Sequence, residues 1–220
     1  MSSLDKNTHL SFLLSKRDCS KYEDGTIVVA KITHFPNRDT KPRAKVKEVI
    51  GHPEKRFLAI DLLIKKYDLP TEYPPEVVEE VEAIPEGIPQ EEVGRRGETC
   101  VEQVCFTIDP EKARDFDDAV AIELTPEGNY RLFVHIADVS YYVRPGTALD
   151  EEAYRRGFTF YLPDRALHML PEKLSAGLCS LRPDEDRLAF TCEMVFNEKG
   201  DIVFYDIYES VIREQAQACT

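Results

Sequence analysis

The chain has 220 residues, enough for one large domain or two small ones, and its 42% hydrophobic and 10% aromatic content can build a core. A charged fraction of 31% and a mean hydropathy of -0.38 describe a soluble protein. No apolar run reaches the roughly 18 residues of a membrane span, and nothing at the amino end resembles a signal peptide, so a cytoplasmic protein with no membrane partner is expected. The net charge of -13 argues against a uniformly basic nucleic-acid surface. It is unevenly spread, however: ten lysines and arginines fall between Lys31 and Lys66, while residues 72–92 are strongly acidic.

Gly25–His34 and Ala44–Ile50 alternate or are β-branched, which predicts two strands around a polar loop from Pro36 to Pro42. Gly51-His52-Pro53 is a turn signal, and together these segments suggest a small, basic β-barrel or sheet. Phe57–Tyr67 has helical spacing and stops before Pro70. Pro74 and Pro75 open a second helix running to Ile84, and Pro85–Gly97 reads as a linker rich in Pro, Gly and Glu. A domain boundary near residue 90 follows, dividing 1–90 from 91–220. Ala119–Leu124 and Tyr130–Ile136 form a predicted hairpin across Pro126-Glu127-Gly128-Asn129. Thr147 caps a helix to Arg156, with Asp150, Glu151 and Glu152 in its first turns. A last hairpin pairs Leu188–Phe196 with Ile202–Tyr208. Strands and helices mixed without regular alternation predict an α+β fold, with no internal repeat. Six cysteines without a CxxC pair read as reduced, structural thiols.

The stretch Asp109-Pro-Glu-Lys-Ala-Arg-Asp-Phe-Asp-Asp118 carries the most information. It holds four aspartates between the strand-like runs Val104–Ile108 and Ala119–Ile122, which tend to be buried. Carboxylates held together repel unless a cation or a shared proton lies between them, and hard oxygen donors at this density suit magnesium or manganese. A solvated charged face is the plain alternative, but Phe116, Pro110 and the flanking strands weigh against it. Lys112 and Arg114 can neutralise part of the charge when no metal is bound. An EF-hand fails by counting: from Asp115, Val120 falls where the turn glycine belongs and Pro126 where the bidentate Glu belongs. A glycosidase pair would not need four aspartates. Two-metal phosphoryl chemistry accounts best for their number.

The motif Thr107-Ile108-Asp109-Pro110, followed by Ala113-Arg114-Asp115-Phe116-Asp117-Asp118-Ala119, resembles the signature of the catalytic (RNB) domain of the ribonuclease II/ribonuclease R family. The likeness continues through His135–Val143, Phe158–Pro163 and Leu178–Arg182. Residues 10–70 resemble the cold-shock-type OB domain that precedes that catalytic domain. The resemblance implies an OB barrel in 1–90 and the first part of an RNB domain in 91–220. It also implies a 3′-to-5′ exoribonuclease that hydrolyses single-stranded RNA to nucleoside 5′-monophosphates with magnesium. By motif position, Asp109 and Asp118 would ligate the metal, Asp115 would support the cluster, and Asp117, itself in the metal set, would be most essential to the chemistry. Tyr161 would stack near the terminal nucleotide.

Each residue also has a structural reading. Tyr161 before Leu162-Pro163 fits a core position, His135 fits a satisfied core histidine, and Asp138 either supports the site or caps a turn. A full catalytic domain of the family is longer than residues 98–220, and its later basic motif and carboxy-terminal OB domain do not appear, so the chain resembles a fragment. Two readings stand: a magnesium-dependent exoribonuclease, or an RNA- or metal-binding module that is incompetent without a polypeptide carrying the rest of the catalytic domain.

Overall fold

The β-branched run after Gly25 forms β1 (Ile27–His34), antiparallel to β2 (Arg43–Gly51). The computed structural model describes residues 1–4, 10–35, 40–97, 99–100, 103–213 and 216–219. Positions 36–39 of the loop expected between the two strands lie outside the described residues. The pair belongs to the first of two units, Met1–Thr71 with Leu162–Asp164; the second is Glu72–Tyr161 with Arg165–Thr220. In the first unit Leu13 adds a parallel bridge to Arg43, and Ser2 an antiparallel one to Ser11. The short α1 (Lys16–Cys19) is capped by the Ser15 hydroxyl, which accepts from Asp18 N. α2 (Leu58–Lys66) buries Leu58, Ile60 and Ile64. It begins one residue later than expected because Phe57 takes a left-handed backbone, φ 62°.

The second unit opens with α3 (Pro75–Ala83), whose first position suits proline because its missing N–H would have no helical partner. Val77 and Val81, one turn apart, are its buried pair. Residues 85–97, expected as linker, contain a helix, α4 (Gln90–Arg96), with Glu91 and Glu92 in its first turn and Arg95 and Arg96 in its last, as the helix dipole favours. The strands that follow are β3 (Thr99–Cys100), β4 (Phe106–Asp109), β5 (Asp118–Leu124) and β6 (Tyr130–Ala137). α5 (Val139–Tyr142) and α6 (Ala148–Arg156) come next, and the Thr147 hydroxyl accepts from Asp150 N as the predicted cap. β7 (Phe160–Tyr161) and β8 (Ala166–Leu167) form their own antiparallel pair. A wide helical turn at Leu174–Leu178 leads to β9 (Asp186–Phe196), β10 (Ile202–Arg213) and β11 (Ala216–Cys219). The last hairpin turns where expected, but β10 runs five residues past the predicted Tyr208.

Seven strands make one sheet in the order β11-β4-β5-β6-β9-β10-β3, antiparallel except for the parallel edge pairs β11–β4 and β10–β3. One sheet face carries Ala119, Ala121, Phe133 and Ala189, buried with Val77 and Val81 of α3, Leu149 of α6, and Leu174 and Leu181. Among the described residues no helix is long and apolar enough to cross a membrane.

One short repeat escapes a reading for domain-sized periodicity. EEVGRRG (91–97) and EEAYRRG (151–157) end α4 and α6 with the same clasp. Glu92 accepts from Arg95 Nε and Nη2 (2.9 and 2.6 Å) and from Arg96 Nε (2.8 Å). Glu152 does the same with Arg155 (2.7 and 2.6 Å) and Arg156 (2.7 Å). In each the first arginine stays in water and the second is buried. Arg156 reaches the carbonyls of His168 (2.9 Å) and Glu72 (2.6 Å), with its guanidinium 3.7 Å from the Tyr73 ring centre. Arg96 donates to the carbonyls of Ala189 (3.0 Å) and Ser210 (3.2 Å) and to the Asp138 carboxylate.

Candidate active site

The acidic stretch is the β4–β5 connection. Asp109 ends β4, Asp118 begins β5, and Asp115 and Asp117 lie between them. Pro110 starts a turn closed by Ala113 N to Pro110 O, 2.9 Å. The loop is then fastened to the core at Phe116, whose ring is buried. Phe116 N donates to Ser180 Oγ (3.1 Å), Ser180 Oγ donates to Arg114 O (2.8 Å), and Leu181 N donates to Phe116 O (2.9 Å). Ser180 is wholly buried, and its own carbonyl accepts from Arg187 Nε, 2.8 Å. On the other side Ala137 N donates to Asp117 O, 2.9 Å. The aspartates therefore project from a backbone held at several points.

Electrostatics single out Asp117. Partial burial of its carboxyl, then the charges of Asp115, Asp118 and Asp109, raise its pKa above the ordinary carboxylate range. Among the described residues neither Lys112 nor Arg114 forms an ion pair, so the expected internal neutralisation is not what the fold provides. Nor, among the described residues, do three metal-binding side chains converge as a finished coordination shell. The donor chemistry fits a hard divalent cation, because burial and the neighbouring carboxylates raise the cost of charge on Asp117 and, among the described residues, no lysine or arginine pairs with it.

Tyr161 lies outside the core, 69% exposed, on the short β7 strand. Its hydroxyl donates to Asp115 Oδ2, and that hydrogen bond, with some burial and the charges of Asp115 and Asp117, pushes its pKa up to about 12. Its ring face is open while its hydroxyl is tied to the acidic loop. His135 is fully buried, with Nδ1 at 2.8 Å from Thr191 Oγ1, and burial pushes its pKa down to about 4. That is a neutral core histidine. Asp138 caps α5, accepting from Tyr141 N (3.1 Å) and Ser140 Oγ (2.7 Å) as well as from Arg96. It is both a cap and a buried counter-ion.

Ser180, Arg187 and Arg96 had no role assigned from sequence. The run Leu178–Arg182 had signalled its importance as part of a motif, but a lone serine gives no hint that it grips a loop more than 60 residues away.

Comparison with known proteins agrees with this picture. The RNB domain family model matches residues 98–219, and the cold shock domain model matches residues 2–74. Ribonuclease R of Aquifex aeolicus is 67% identical over 214 residues, covering 97% of this chain and 30% of that protein. Ribonuclease R of Escherichia coli is 43% identical over 88% of this chain and 24% of its own length. The chain thus spans about a third or less of the curated relatives it matches. Among solved structures, the apo form of Mycoplasma genitalium RNase R superposes with a TM-score of 0.83 at 25% identity, over 96% of this chain and 33% of that one. Yeast Ssd1, described as a pseudonuclease, shares the fold at a TM-score of 0.66 and 18% identity, over 92% of this chain and 26% of its own. The fold alone therefore does not decide activity. An RNB match over more than half of the residues, a cold shock match before it and an α+β structure superposing on RNase R together show that the chain belongs to the RNB domain family.

Proposed function

We propose that the chain supplies the acidic half of a 3′-to-5′ exoribonuclease site that hydrolyses single-stranded RNA to nucleoside 5′-monophosphates in the cytoplasm. The observation that carries this reading is Asp117. Partial burial, then three neighbouring carboxylates, raise its pKa and, among the described residues, no lysine or arginine pairs with it, on a loop fastened at Phe116 and Ser180. Asp109, Asp115, Asp117 and Asp118 would hold Mg2+, or Mn2+ in its place. Bound there, the ion stabilises charge on the phosphate oxygens and lowers the pKa of a water.

The chain's own groups do the rest. Ser180 and Phe116 fix where the carboxylates point. Tyr161 offers an open aromatic face to the terminal base, and stacking of that kind tolerates any base, while its hydroxyl orients Asp115. The hydrolysis joins a water oxygen to phosphorus and breaks the bond to the 3′ oxygen of the preceding nucleotide. The water's proton ends on that 3′ oxygen, and the terminal nucleotide leaves with its 5′-phosphate. RNA as substrate draws support from M. genitalium RNase R, which has been solved with double-stranded RNA and with ribose-methylated single-stranded RNA.

The test is release of mononucleotides from labelled single-stranded RNA with Mg2+. Loss of release in Asp117→Asn supports the reading, and undiminished release overturns it. A second reading has its own observation: the chain matches only 30% of the A. aeolicus enzyme's length. On that reading it is a binding module, inert under any metal until the remaining polypeptide is added.

A further inference from the structure

Arg114 stands among carboxylates and pairs with none of them. Even Arg131 and Arg213, with side chains 42% and 45% exposed, find Glu193 (3.2 Å) and Asp186 (2.7 Å). Arg114 lies within five positions of Asp109, Asp115, Asp117 and Asp118, yet among the described residues its guanidinium makes no ion pair or hydrogen bond. Its placement is set from below. The Arg114 carbonyl accepts from the buried Ser180 hydroxyl (2.8 Å), and that same oxygen accepts from Phe116 N (3.1 Å). The backbone is thus fixed on both sides of Asp115, while the Arg114 side chain stays exposed.

An unpaired guanidinium keeps five donors and a full charge for an anion arriving from solvent. The carboxylates, left unneutralised, keep theirs for a cation. Pairing inside the loop would cancel both. A surface charge is usually just solvated, but this one borders a place that repels the substrate class. Between positions 109 and 118 stand four aspartates and Glu111 against only Lys112 and Arg114. An RNA phosphate brought there is opposed by that excess unless a cation faces it. Lys112 sits in a turn closed by one bond, Ala113 N to Pro110 O, so Arg114 is the better anchored of the two.

We propose, resting on the RNA reading of the acidic loop, that Arg114 binds a phosphodiester of the substrate strand. One loop then holds a cation with its carboxylates and the RNA backbone with its arginine. The planar fork takes two non-bridging oxygens of one phosphate together, which an ammonium cannot do. The contact is to backbone and not to base, so it fixes position without choosing sequence.

The test reads binding and not cleavage. A fluorescein-labelled oligouridylate is titrated with the full chain in EDTA at several KCl concentrations, followed by anisotropy. Arg114→Gln should weaken binding about 5- to 10-fold near 0.1 M salt and lower the slope of log K against log salt by about 0.7, the share of one single-strand phosphate. Arg114→Lys should keep the slope and lose about twofold, having the charge without the fork. Lys112→Gln, the same change of charge two residues away, should lose less than about twofold. All three should unfold within about 2 °C of the parent, because both side chains are exposed and the bond at position 114 is to its backbone. An unchanged slope in Arg114→Gln overturns the proposal. Equal losses in Lys112→Gln and Arg114→Gln do so as well, since a diffuse field would then act in place of a directed contact. A parent chain without affinity for the oligonucleotide removes the RNA reading itself. Mononucleotide release abolished by Asp117→Asn, beside an unchanged slope in Arg114→Gln, leaves the nuclease reading standing while this one falls.

Discussion

Ser180→Ala removes one oxygen and two hydrogen bonds from the underside of the acidic loop. Phe116 N–H would lose its acceptor at 3.1 Å, and Arg114 O its donor at 2.8 Å. Ser180 is wholly buried and Phe116 nearly so, so water cannot replace the bond to Phe116 N–H without the loop lifting. Arg114 is exposed, and its carbonyl can turn to solvent. One buried donor left unmade costs about 1–3 kcal/mol, which is roughly a 5- to 150-fold change in an opening equilibrium. The prediction is specific to place: amide exchange at Phe116 should quicken by about that factor, while Ala121 and Val134, in the body of the sheet, change only as global stability does. Mg2+ titrated into the variant should bind more weakly, because the carboxylates no longer share a fixed backbone. Phe116 exchange within twofold of the parent chain would refute the idea that this hydroxyl holds the loop.

Arg96→Met leaves the Asp138 carboxylate buried without its counter-ion, and denaturant unfolding should show a loss of about 3–5 kcal/mol. The hydrogen bond from Arg95, then that from Arg96, holds Glu92 near pKa 2 against an ordinary 4.5. Its contribution is therefore complete above about pH 4.5 and lost as pH falls towards 2, and Glu92→Gln should flatten stability across that window. The His135 imidazole should stay neutral down to about pH 4 when followed by NMR; a midpoint near 6.5 would contradict its burial. Tyr161→Ala should weaken binding of a single-stranded oligonucleotide by about 1–3 kcal/mol in fluorescence anisotropy, whereas Tyr161→Phe, which keeps the ring and loses only the bond to Asp115, should bind near normally.

The acidic loop was legible from sequence because its flanks were. Strand patterning on both sides of Asp109–Asp118 forced a tight, anchored connection, and the structure makes β4 and β5 there. The α4 helix was not legible: Pro85, Gly87, Pro89 and Gly94 hide it, and it stands because Arg96 is drawn into the sheet, a tertiary effect invisible to local propensity. The strands beside the acidic loop held a surprise of a related kind. Val104–Ile108 and Ala119–Ile122 are apolar enough to suggest burial, yet Val104, Ile108 and Ile122 are exposed. Apolarity in a strand reports its preference for cover, not whether a layer supplies it. Lys112 and Arg114 taught the converse, that nearness in sequence to a carboxylate is no promise of pairing.

The Arg96 clasp bears on how the second unit comes apart. One guanidinium joins residues 42, 93 and 114 positions away along the chain to the end of a seven-residue helix. Such a group loses its hydration only when all its partners have arrived, so it cannot be half-formed at modest cost. α4, too short to persist alone, is thereby locked to the α5 cap, β9 and β10 as one cooperative block. Its amides should open with the central strands in the slowest class of native-state exchange, not with the fraying ends.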